Sequence, residues 1–497
     1  MSRIIAALQR HAASDPLKVA LQDESSSLTY GELLTKIELL AQQLRAYNPR
    51  VLGILADNGK DWALADLAAH AAGIPIIPLP PFFSAAQIAH VIKTAGIDQV
   101  LTDQPERLRL ALQQAELAAA PFYGALQRVR LQEVATTAPS LPAGTQKVTF
   151  TSGTTGEPKG ACLSREVMET VAESLGFASE ARRDDRHLCL LPLATLLENI
   201  GGIFTPLLAG ATICLPRLAA VGLSGSSGLD VGRLMAALNE WQASSAIMVP
   251  QMLQAVVMAG QAGAAMPRSL RYLAVGGAPV SARLLDNARA LGLPVHEGYG
   301  LSECGSVVAV NRPGESRAGS VGKPLPHIRI NFAGDGEILI RGTPWHGYLG
   351  EGGFPHALDF IATGDLGYLD ADGFLFLTGR KKNLFITSFG RNVAPEWVEG
   401  ELVAHPGIAQ AAIFGEARPF NCAVIVPLPG TPQDVIEAAL DTANRTLPDY
   451  ARVRAWIAAT EPFTPGNGMS TPNGRLRRSA ILGQYAAQID ALYHPQD

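Results

Sequence analysis

Short apolar runs alternate with helical stretches through most of the 497-residue chain, and this alternation limits the fold more than any other feature. The runs 51–55, 74–79 and 99–101 predict strands, and the stretches 60–72 and 85–95 predict helices between them. Alternation of this kind favours βαβ units with parallel strands. Because the pattern continues to about residue 340, the sequence predicts one large α/β body up to that point.

The last part of the chain has a different pattern. Asp-Ala-Asp-Gly at 370–373 separates alternating apolar residues, so 367–377 is predicted to form an antiparallel hairpin, as is 334–341. Beyond Arg380 the sequence predicts a small α+β unit. Its strands are expected at 384–387, 409–414 and 421–427, and its helices at 395–403 and 432–445.

Composition excludes several classes of protein. A net charge of −5 leaves no basic surplus for a nucleic-acid backbone. Five scattered cysteines without a CxxC pair predict neither a disulfide framework nor a zinc site, which fits a reducing, cytoplasmic setting. The most apolar stretch, 63–83, is interrupted by Asp66, His70 and four prolines, so no membrane span is expected. The Gly/Ser segment 222–228 predicts a surface loop.

The segment 148–160, VTFTSGTTGEPKG, is the most informative part of the sequence. A β-type run opens into a loop rich in Ser, Thr and Gly that ends in Lys159. Glycines allow backbone N–H groups to approach an anion, hydroxyls add donors, and lysine adds charge, so the loop suits a polyphosphate. Its spacing differs from that of a Walker A loop.

This segment resembles the phosphate loop of the AMP-forming adenylating enzymes, which include acyl-CoA synthetases, peptide-synthetase adenylation domains and firefly luciferase. The likeness continues in order along the chain and covers essentially all of it. The matching blocks are LTYGELL at 28–34, LPLATLLENIGG at 191–202, VGGAPVS at 275–281, GYGLSE at 298–303, GEILIRG at 336–342, YLDADGFLFLTGRKKN at 368–383 and TPNGRLRR at 471–478.

The resemblance implies an α/β fold with a large N-terminal domain of βα-layered sheets plus a barrel-like β subdomain, and a small mobile α+β C-terminal domain. The expected boundaries are 1–381 for the ATP- and acyl-binding domain and 383–497 for the mobile domain, with the hinge at Lys382.

The resemblance also implies roles for individual residues. Tyr299 would stack on adenine, Asp365 and Arg380 would hold the ribose, and Glu303 with Thr155 would hold Mg²⁺. The residues expected to contact ATP or AMP are Thr151, Ser152, Gly153, Thr154, Thr155, Gly156, Lys159, Gly276, Gly277, Ala278, Pro279, Gly298, Tyr299, Gly300, Ser302, Asp365 and Arg380.

The implied reaction has two halves. A carboxylate first attacks the α-phosphorus of ATP to form an acyl-adenylate, and a thiol then attacks the acyl carbonyl. The residues expected to act in catalysis are Arg475, Lys159, Thr155 and Glu303, with ATP, Mg²⁺ and either CoA or the phosphopantetheine of a carrier protein as cofactors or co-substrates.

Three residues depart from the family pattern. Arg475 stands where the family has a catalytic lysine, and no lysine follows Lys382 that could replace it. Thr195 stands where similar acyl-CoA synthetases have histidine. Phe389, with Gly390, lies in the expected thiol channel, where a bulky ring would narrow the entry.

For the acid, the resemblance places Thr195, Glu198, Asn199 and Gly277 in the acyl pocket. The resemblance also implies that an amino-acid substrate is disfavoured, since peptide-synthetase adenylation domains hold the amino group with an aspartate shortly after the position of Leu193, and no aspartate occurs here between Leu191 and Leu215. The leading hypothesis is a fatty acyl-CoA synthetase. The alternatives are a ligase that loads an acyl carrier protein, an aryl-acid CoA ligase, and a non-catalytic adenylate- or acyl-binding protein.

Overall fold

The computed structural model describes residues 2–114, 116–131, 141–151, 159–225, 228–342, 345–351, 359–405, 407–471 and 474–493. Ser152, Gly153, Thr154, Thr155 and Gly156 of the predicted phosphate loop lie outside these residues, as does the side chain of Thr151. None of the described helices is both long and apolar enough to cross a membrane.

The α-helices are α1 Arg3–Ser14, α2 Tyr30–Tyr47, α3 Lys60–Ala72, α4 Ala85–Ala95, α5 Pro105–Leu112, α6 Arg165–Ala178, α7 Leu196–Glu198, α8 Thr205–Ala209, α9 Val231–Glu240, α10 Pro250–Gln261, α11 Ala282–Ala290, α12 Pro395–Val403, α13 Gln433–Thr446 and α14 Arg478–Tyr493. A π-helix covers Asn199–Phe204, and 3₁₀ turns cover Ser302–Cys304 and Asp449–Ala451.

The strands are β1 Val19–Gln22, β2 Ser27–Thr29, β3 Leu52–Leu55, β4 Ile76–Pro78, β5 Gln99–Thr102, β6 Ala119–Tyr123, β7 Leu126–Arg130, β8 Thr145–Thr151, β9 Lys159–Ser164, β10 Arg186–Leu188, β11 Thr212–Cys214, β12 Leu223–Ser224, β13 Gly228–Leu229, β14 Ser245–Met248, β15 Tyr272–Val275, β16 Val295–Tyr299, β17 Ala309–Val310, β18 Lys323–Pro324, β19 Arg329–Phe332, β20 Glu337–Arg341, β21 Ile361–Leu369, β22 Leu375–Arg380, β23 Phe385–Ile386, β24 Asn392–Val393, β25 Ile408–Phe414, β26 Asn421–Pro427 and β27 Val453–Ala458.

Two large sheets form the N-terminal part of the molecule. One has seven strands in the order β6-β7-β5-β3-β4-β8-β9, and the other has nine in the order β18-β17-β16-β15-β14-β10-β11-β1-β2. Strands β5, β3, β4 and β8 are parallel, as are β1, β11, β10, β14, β15 and β16. The predicted βαβ architecture is therefore confirmed.

Local sequence signals explain where several helices begin and end. Helix α4 begins after Ser84, whose hydroxyl accepts the N–H of Gln87 while the Gln87 side chain accepts the N–H of Ser84. It ends at Gly96, which has a positive φ of 62°. Helix α3 is buried on nearly every face, which fits a helix packed between layers.

A buried ion pair lies beneath the π-helix. Lys147 Nζ is 2.7 Å from Asp66 Oδ1, and both side chains are almost completely excluded from solvent. Asn199, the first residue of the π-helix, completes the group: its Oδ1 accepts from Lys147 at 2.5 Å and its Nδ2 donates to Asp66 at 3.0 Å. The two charges are thus paired and hydrogen bonded, as burial requires.

In the part of the chain that the structure describes, the predicted barrel-like β subdomain is an open four-stranded sheet. Strands β19, β20, β21 and β22 are antiparallel neighbours in that order, and β19 does not pair with β22. The predicted hairpin over 367–377 is present. Its turn is stabilised by Asp370, whose Oδ1 accepts the backbone N–H groups of Asp372 and Phe374. The expected loop 222–228 contains a short hairpin of β12 and β13.

The C-terminal part contains a three-stranded sheet, in the order β25-β26-β27. Helices α12 and α13 share one apolar cluster with it, and α14 belongs to a second cluster. The predicted helices at 395–403 and 432–445 are observed to within one residue. Helix α14 is not among the elements predicted from the sequence.

Candidate active site

A large crevice, about 2690 Å³ in volume, runs between the nine-stranded sheet and the C-terminal part. The carboxyl ends of β14, β15 and β16 open into it, through the segments that follow Met248, Val275 and Tyr299. Ligands of open α/β sheets bind at such edges. Described residues that the sequence assigns to ATP line this crevice, and so does the predicted Mg²⁺ ligand Glu303: the ATP residues are Lys159, Gly276, Gly277, Ala278, Pro279, Gly298, Tyr299, Gly300, Ser302, Asp365 and Arg380.

Tyr299, Asp365 and Arg380 form a connected group at the edge of the crevice. The Tyr299 hydroxyl donates to Asp365 Oδ2 at 2.7 Å, and Arg380 Nε donates to Asp365 Oδ1 at 2.7 Å. Asp365 and Arg380 are cross-strand partners on β21 and β22, so the sheet register sets this pair. Burial and the neighbouring Asp365 carboxylate raise the pKa of Tyr299, which keeps its hydroxyl a donor.

The glycines of the GYG and VGG segments are required by close backbone approach. A Cβ at position 300 would lie 1.7 Å from the Ser306 carbonyl oxygen, and one at 276 would lie 3.0 Å from the Gly298 carbonyl oxygen. Gly277 has a φ of 88°, a conformation that other residues rarely adopt. These glycines therefore shape the backbone wall of the crevice beside Tyr299.

Glu297 lines the crevice but is missing from the sequence-based set. It is the cross-strand partner of Val275, and the backbone N–H of Val280, in the segment that follows Gly277, acts to lower the pKa of its carboxyl. Burial raises its pKa to about 8, and Arg289 opposes this shift. Its position directly before the GYG motif is the one signal in the sequence that could have indicated it.

Two side-chain contacts, Lys159 with Glu351 and Tyr348 with Glu303, lie near the ends of the predicted phosphate loop. Lys159 is the partner of Thr151 across the β8–β9 hairpin, so the loop starts and ends at these two residues. Lys159 Nζ is 2.7 Å from Glu351 Oε1 and 5.1 Å from the centre of the Tyr348 ring. The Tyr348 hydroxyl donates to Glu303 Oε1. Strand β9 pairs with the segment around Tyr348, which brings Lys159 close to Glu303.

Arg475 faces the same space from the C-terminal part. Partial removal from water lowers its pKa, as does the charge of Arg380, while the carboxylates of Asp365 and Glu303 oppose this change. Its backbone is fixed in a tight turn, since its N–H donates to Thr471 Oγ1 at 3.1 Å and its carbonyl accepts the Thr471 N–H at 2.7 Å. Arg475 also lines the crevice.

The predicted hinge residue Lys382 lines the crevice as well. Partial removal from water and the charges of Arg380 and Arg475 lower its pKa. It follows the end of β22 in a turn where the N–H groups of Asn383 and Leu384 donate to the Arg380 carbonyl.

The residues predicted for the acyl pocket divide into two groups. Thr195 and Gly277 line the crevice. Glu198 and Asn199 do not, since both are fully buried behind its wall. Glu198 accepts the Leu191 N–H at 3.2 Å and lies 3.4 Å from His187 Nε2, whereas Asn199 bonds Lys147 and Asp66. The helical spacing of the LLENIGG block turns these two residues towards the core.

Phe389 and Gly390 lie at the exposed tip of the β23–β24 hairpin, and neither lines the crevice. The Phe389 ring is 75% exposed. In this arrangement of the chain the expected thiol-channel residues are therefore separate from the predicted ATP residues.

The fold and the site together define an α/β protein of two parts. The crevice between the parts is lined by the residues that are predicted to bind a nucleotide. Comparison with known families gives the same assignment: residues 8–349 match the AMP-binding enzyme family, and residues 382–497 match the AMP-binding enzyme C-terminal domain. The chain belongs to the AMP-binding enzyme family.

Two CoA ligases and one solved structure are similar to this chain over most of their length. The chain is 28% identical to long-chain-fatty-acid–CoA ligase FadD15 of Mycobacterium bovis, over 88% of this chain and 86% of that protein. It is 28% identical to 2-succinylbenzoate–CoA ligase of Bacillus licheniformis, over 82% and 86%. The anthranilate CoA ligase AuaEII, crystallised with anthranoyl-AMP, has the same fold, with a TM-score of 0.79 at 18% identity over 99% and 98% of the two chains.

Proposed function

We propose that this protein activates a fatty acid with ATP, through an acyl-adenylate, and transfers the acyl group to the thiol of CoA. One observation carries the proposal: Tyr299, Asp365, Arg380 and Glu303 meet Arg475 in one crevice, although Arg475 is almost a hundred residues further along the chain than Arg380. The family membership and the named CoA ligase relatives support it.

In the first half-reaction, a carboxylate oxygen of the acid forms a bond to the α-phosphorus of ATP. The bond from this phosphorus to the bridging oxygen breaks, and pyrophosphate leaves. The Asp365 carboxylate, already oriented by Tyr299 and Arg380, would accept from the ribose hydroxyls. Arg475 would stabilise the charge that develops around the α-phosphate, because a guanidinium donates several N–H groups to phosphate oxygens.

Lys159 would bind the leaving pyrophosphate. Its ion pair with Glu351 joins two half-exposed side chains, and such pairs contribute only about 0–1 kcal/mol. Exchange of Glu351 for a phosphate oxygen therefore costs little. Ser152, Gly153, Thr154, Thr155 and Gly156 of the predicted phosphate loop lie outside the described part of the chain.

Glu303 would hold Mg²⁺. Its carboxylate lines the crevice, and carboxylate oxygen is the ligand that this cation prefers. The bound cation would supply positive charge to the phosphates during their transfer. Tyr348 fixes the Glu303 carboxylate by donating to Oε1.

In the second half-reaction, the thiol sulfur attacks the acyl carbonyl carbon, the bond to the AMP oxygen breaks, and the thiol proton is released. We place the hinge at Lys382, between residues 1–381 and 383–497. Rotation about it would remove Arg475 from the crevice. It would also bring the tip of the β23–β24 hairpin, which carries Phe389, towards the crevice. Contacts that would have to break in this movement include the hydrogen bond that Gln254 Nε2 donates to the Val403 carbonyl and the approach of Arg283 Nη1 to His405 Nε2 at 3.3 Å.

The wall of the crevice at β14 supports a straight alkyl chain as the substrate. Ser245, Ala246 and Ile247 of this strand and Val249 after it line the crevice, and this length of extended chain spans about 13 Å at 3.3 Å per residue. Polar groups of this wall already have partners: His187 Nδ1 lies 3.0 Å from Ser245 Oγ, and the Thr205 hydroxyl donates to the Ala172 carbonyl. Since these groups need no polar ligand, the wall suits methylene groups.

A panel of acids tests the proposal. The protein would be incubated with ATP, Mg²⁺, CoA and either alkanoic acids of increasing length or benzoates, and AMP and acyl-CoA would be quantified by mass spectrometry. We expect equal amounts of AMP and acyl-CoA with long alkanoic acids. A clear preference for benzoates would overturn the fatty-acid assignment, and thioester formed only on a holo carrier protein would overturn CoA as the acceptor.

A further inference from the structure

A buried polar group lies beside the crevice, between strand β10 and the π-helix. It contains His187 from β10, Cys189 directly after this strand, and Glu198 directly before the π-helix. One donor atom from each of these residues lies within 4.8 Å of the other two, and all three residues are buried. The donors are single residues of three types, so the cysteine spacing in the sequence does not indicate this group. No step of the proposed reaction uses it.

Contacts with the surrounding chain orient two of these side chains. His187 Nδ1 lies 3.0 Å from Ser245 Oγ, and His187 Nε2 lies 3.4 Å from Glu198 Oε1. The other carboxylate oxygen, Glu198 Oε2, accepts the Leu191 N–H at 3.2 Å. With its proton on Nδ1, His187 donates to Ser245 and directs the Nε2 lone pair towards Glu198. Outer partners of this kind fix the tautomer and orientation of residues that bind metals.

Gly202 keeps the point between these donor atoms clear of side-chain atoms. A Cβ at position 202 would lie 2.4 Å from Glu198 Oε1 and 3.0 Å from His187 Nε2. The Gly202 carbonyl oxygen lies 3.7 Å from Cys189 Sγ, so the thiol borders the same point. Gly202 belongs to the π-helix, a type of turn that is frequent at functional sites.

The charge of Glu198 also favours a cation at this point. Its side chain is completely buried, and among the described residues no lysine or arginine forms an ion pair with it. Buried charges in proteins are paired or bind a metal. Burial and the Glu198 carboxylate raise the pKa of the Cys189 thiol, whereas a bound divalent cation would favour the thiolate.

We propose that His187, Cys189 and Glu198 bind one zinc ion, which fastens the π-helix to β10. Imidazole nitrogen, thiolate sulfur and carboxylate oxygen are donors that zinc takes in proteins, whereas Mg²⁺ prefers oxygen. Donor atoms around a tetrahedral zinc ion lie about 3.3–3.8 Å apart, so the 3.4 Å separation of His187 Nε2 and Glu198 Oε1 already fits. On binding, the S–H bond of Cys189 breaks, a bond from sulfur to zinc forms, and the proton passes to solvent. Water from the crevice, which His187 lines, would take the fourth position.

Zinc binding by the full chain tests the inference. Protein treated with a chelator would be equilibrated with Zn²⁺ in an excess of Mg²⁺, which occupies oxygen ligands such as Glu303, and bound zinc would be measured by plasma mass spectrometry. We expect one zinc per chain in wild type, and a Kd about tenfold higher or more in Cys189→Ser. The control is Cys214→Ser, whose Kd should stay within twofold of wild type. Cys214 is also buried and lies on the neighbouring strand β11, but it is not part of the group.

Cobalt identifies the sulfur ligand. Co²⁺ in place of zinc should give the near-ultraviolet absorption of a thiolate–cobalt bond in wild type and Cys214→Ser, and should not give it in Cys189→Ser. Circular dichroism checks that each variant folds. If Cys189→Ser does not fold, Glu198→Gln replaces it, because this change removes the charge and retains the size of the side chain. Zinc should also raise the unfolding temperature of wild type, since it binds the folded chain more tightly than the unfolded one.

Three outcomes would overturn the inference. If wild type binds no zinc under these conditions, the group is a hydrogen-bonded cluster without an ion. If wild type and Cys189→Ser bind zinc equally well, the metal lies elsewhere in the chain. If Cys189→Ser and Cys214→Ser weaken binding equally, the effect comes from the fold and not from a lost ligand. None of these measurements needs ATP or a fatty acid, so the proposed function is tested independently.

Discussion

Arg475 shows how a single side chain can retain a charge while changing its geometry. The resemblance implies lysine at this position, and the structure places the Arg475 guanidinium in the crevice, where the charges of Arg380, Asp365 and Glu303 act on it. A guanidinium is planar and binds phosphate through several donors, whereas an ammonium is a compact point charge. The position of Arg475 therefore supports a phosphate contact made by a guanidinium in place of an ammonium. Its removal should then slow the first half-reaction.

We expect Arg475→Ala to lower the rate of acid-dependent pyrophosphate exchange by about 10²–10³-fold, the usual effect of removing a group that stabilises transition-state charge. Arg475→Lys should retain more activity than Arg475→Ala. Acyl transfer from chemically supplied acyl-AMP to CoA serves as the control, because it does not need this contact. Exchange by Arg475→Ala at the wild-type rate would exclude the assigned role.

The Lys147–Asp66 pair makes a prediction about stability. Replacing Lys147 by Met leaves the Asp66 carboxylate buried without a counter-charge, which typically costs about 3–5 kcal/mol. We expect the free energy of unfolding, measured in urea, to fall by this amount. The double variant Lys147→Met/Asp66→Asn should recover part of the loss, since the buried charge is gone. A single variant as stable as wild type would show that Asp66 becomes protonated at little cost.

At the scale of elements, the contact between α11 and the end of α12 joins the two parts of the chain. Arg283 on α11 lies 3.3 Å from His405, and its charge also acts on Glu401, whose pKa is raised by burial. Burial and Arg283 lower the pKa of His405 to about 4, so His405 is neutral at pH 7. The contact is thus polar and small. Such a contact can break and form again each time the two parts rotate.

Replacing Arg283 by Met should weaken this contact. We expect faster amide hydrogen exchange in residues 401–405 than in wild type, measured by mass spectrometry at pH 7. Asp286→Asn is the matched control, because Asp286 lies on the same helix and pairs with Arg289. Identical exchange in wild type and Arg283→Met would show that other contacts hold the two parts together.

Elements with strong local signals could be predicted from the sequence. The helices 60–72 and 85–95 and the 367–377 hairpin are found as expected, because periodicity, capping residues and turn chemistry act within a few residues. The π-helix at Asn199–Phe204 could not be predicted, since it depends on packing with distant Lys147 and Asp66. For the same reason the sequence did not indicate that Glu198 and Asn199 are buried behind the wall of the crevice.

At the scale of the whole molecule, the crevice combines segments that are far apart in sequence. Motifs predicted a set of ATP residues whose described members line the crevice, because glycines, Tyr299 and Asp365 occur in recognisable blocks. Glu297 was missed because its significance comes from sheet topology, which places strand ends at a common edge. Its position directly before the GYG motif is the one signal that the sequence carries for it.

The central claim is that the crevice forms an acyl-adenylate, and exchange of labelled pyrophosphate into ATP tests it most directly. The measurement needs only the protein, ATP, Mg²⁺ and a fatty acid, with no thiol present. Label should enter ATP when a long alkanoic acid is added, and should not enter when the acid is omitted. If folded protein that binds ATP gave no exchange with any alkanoic or aryl acid, it would be a binding protein, and acyl-adenylate formation in this crevice would be contradicted.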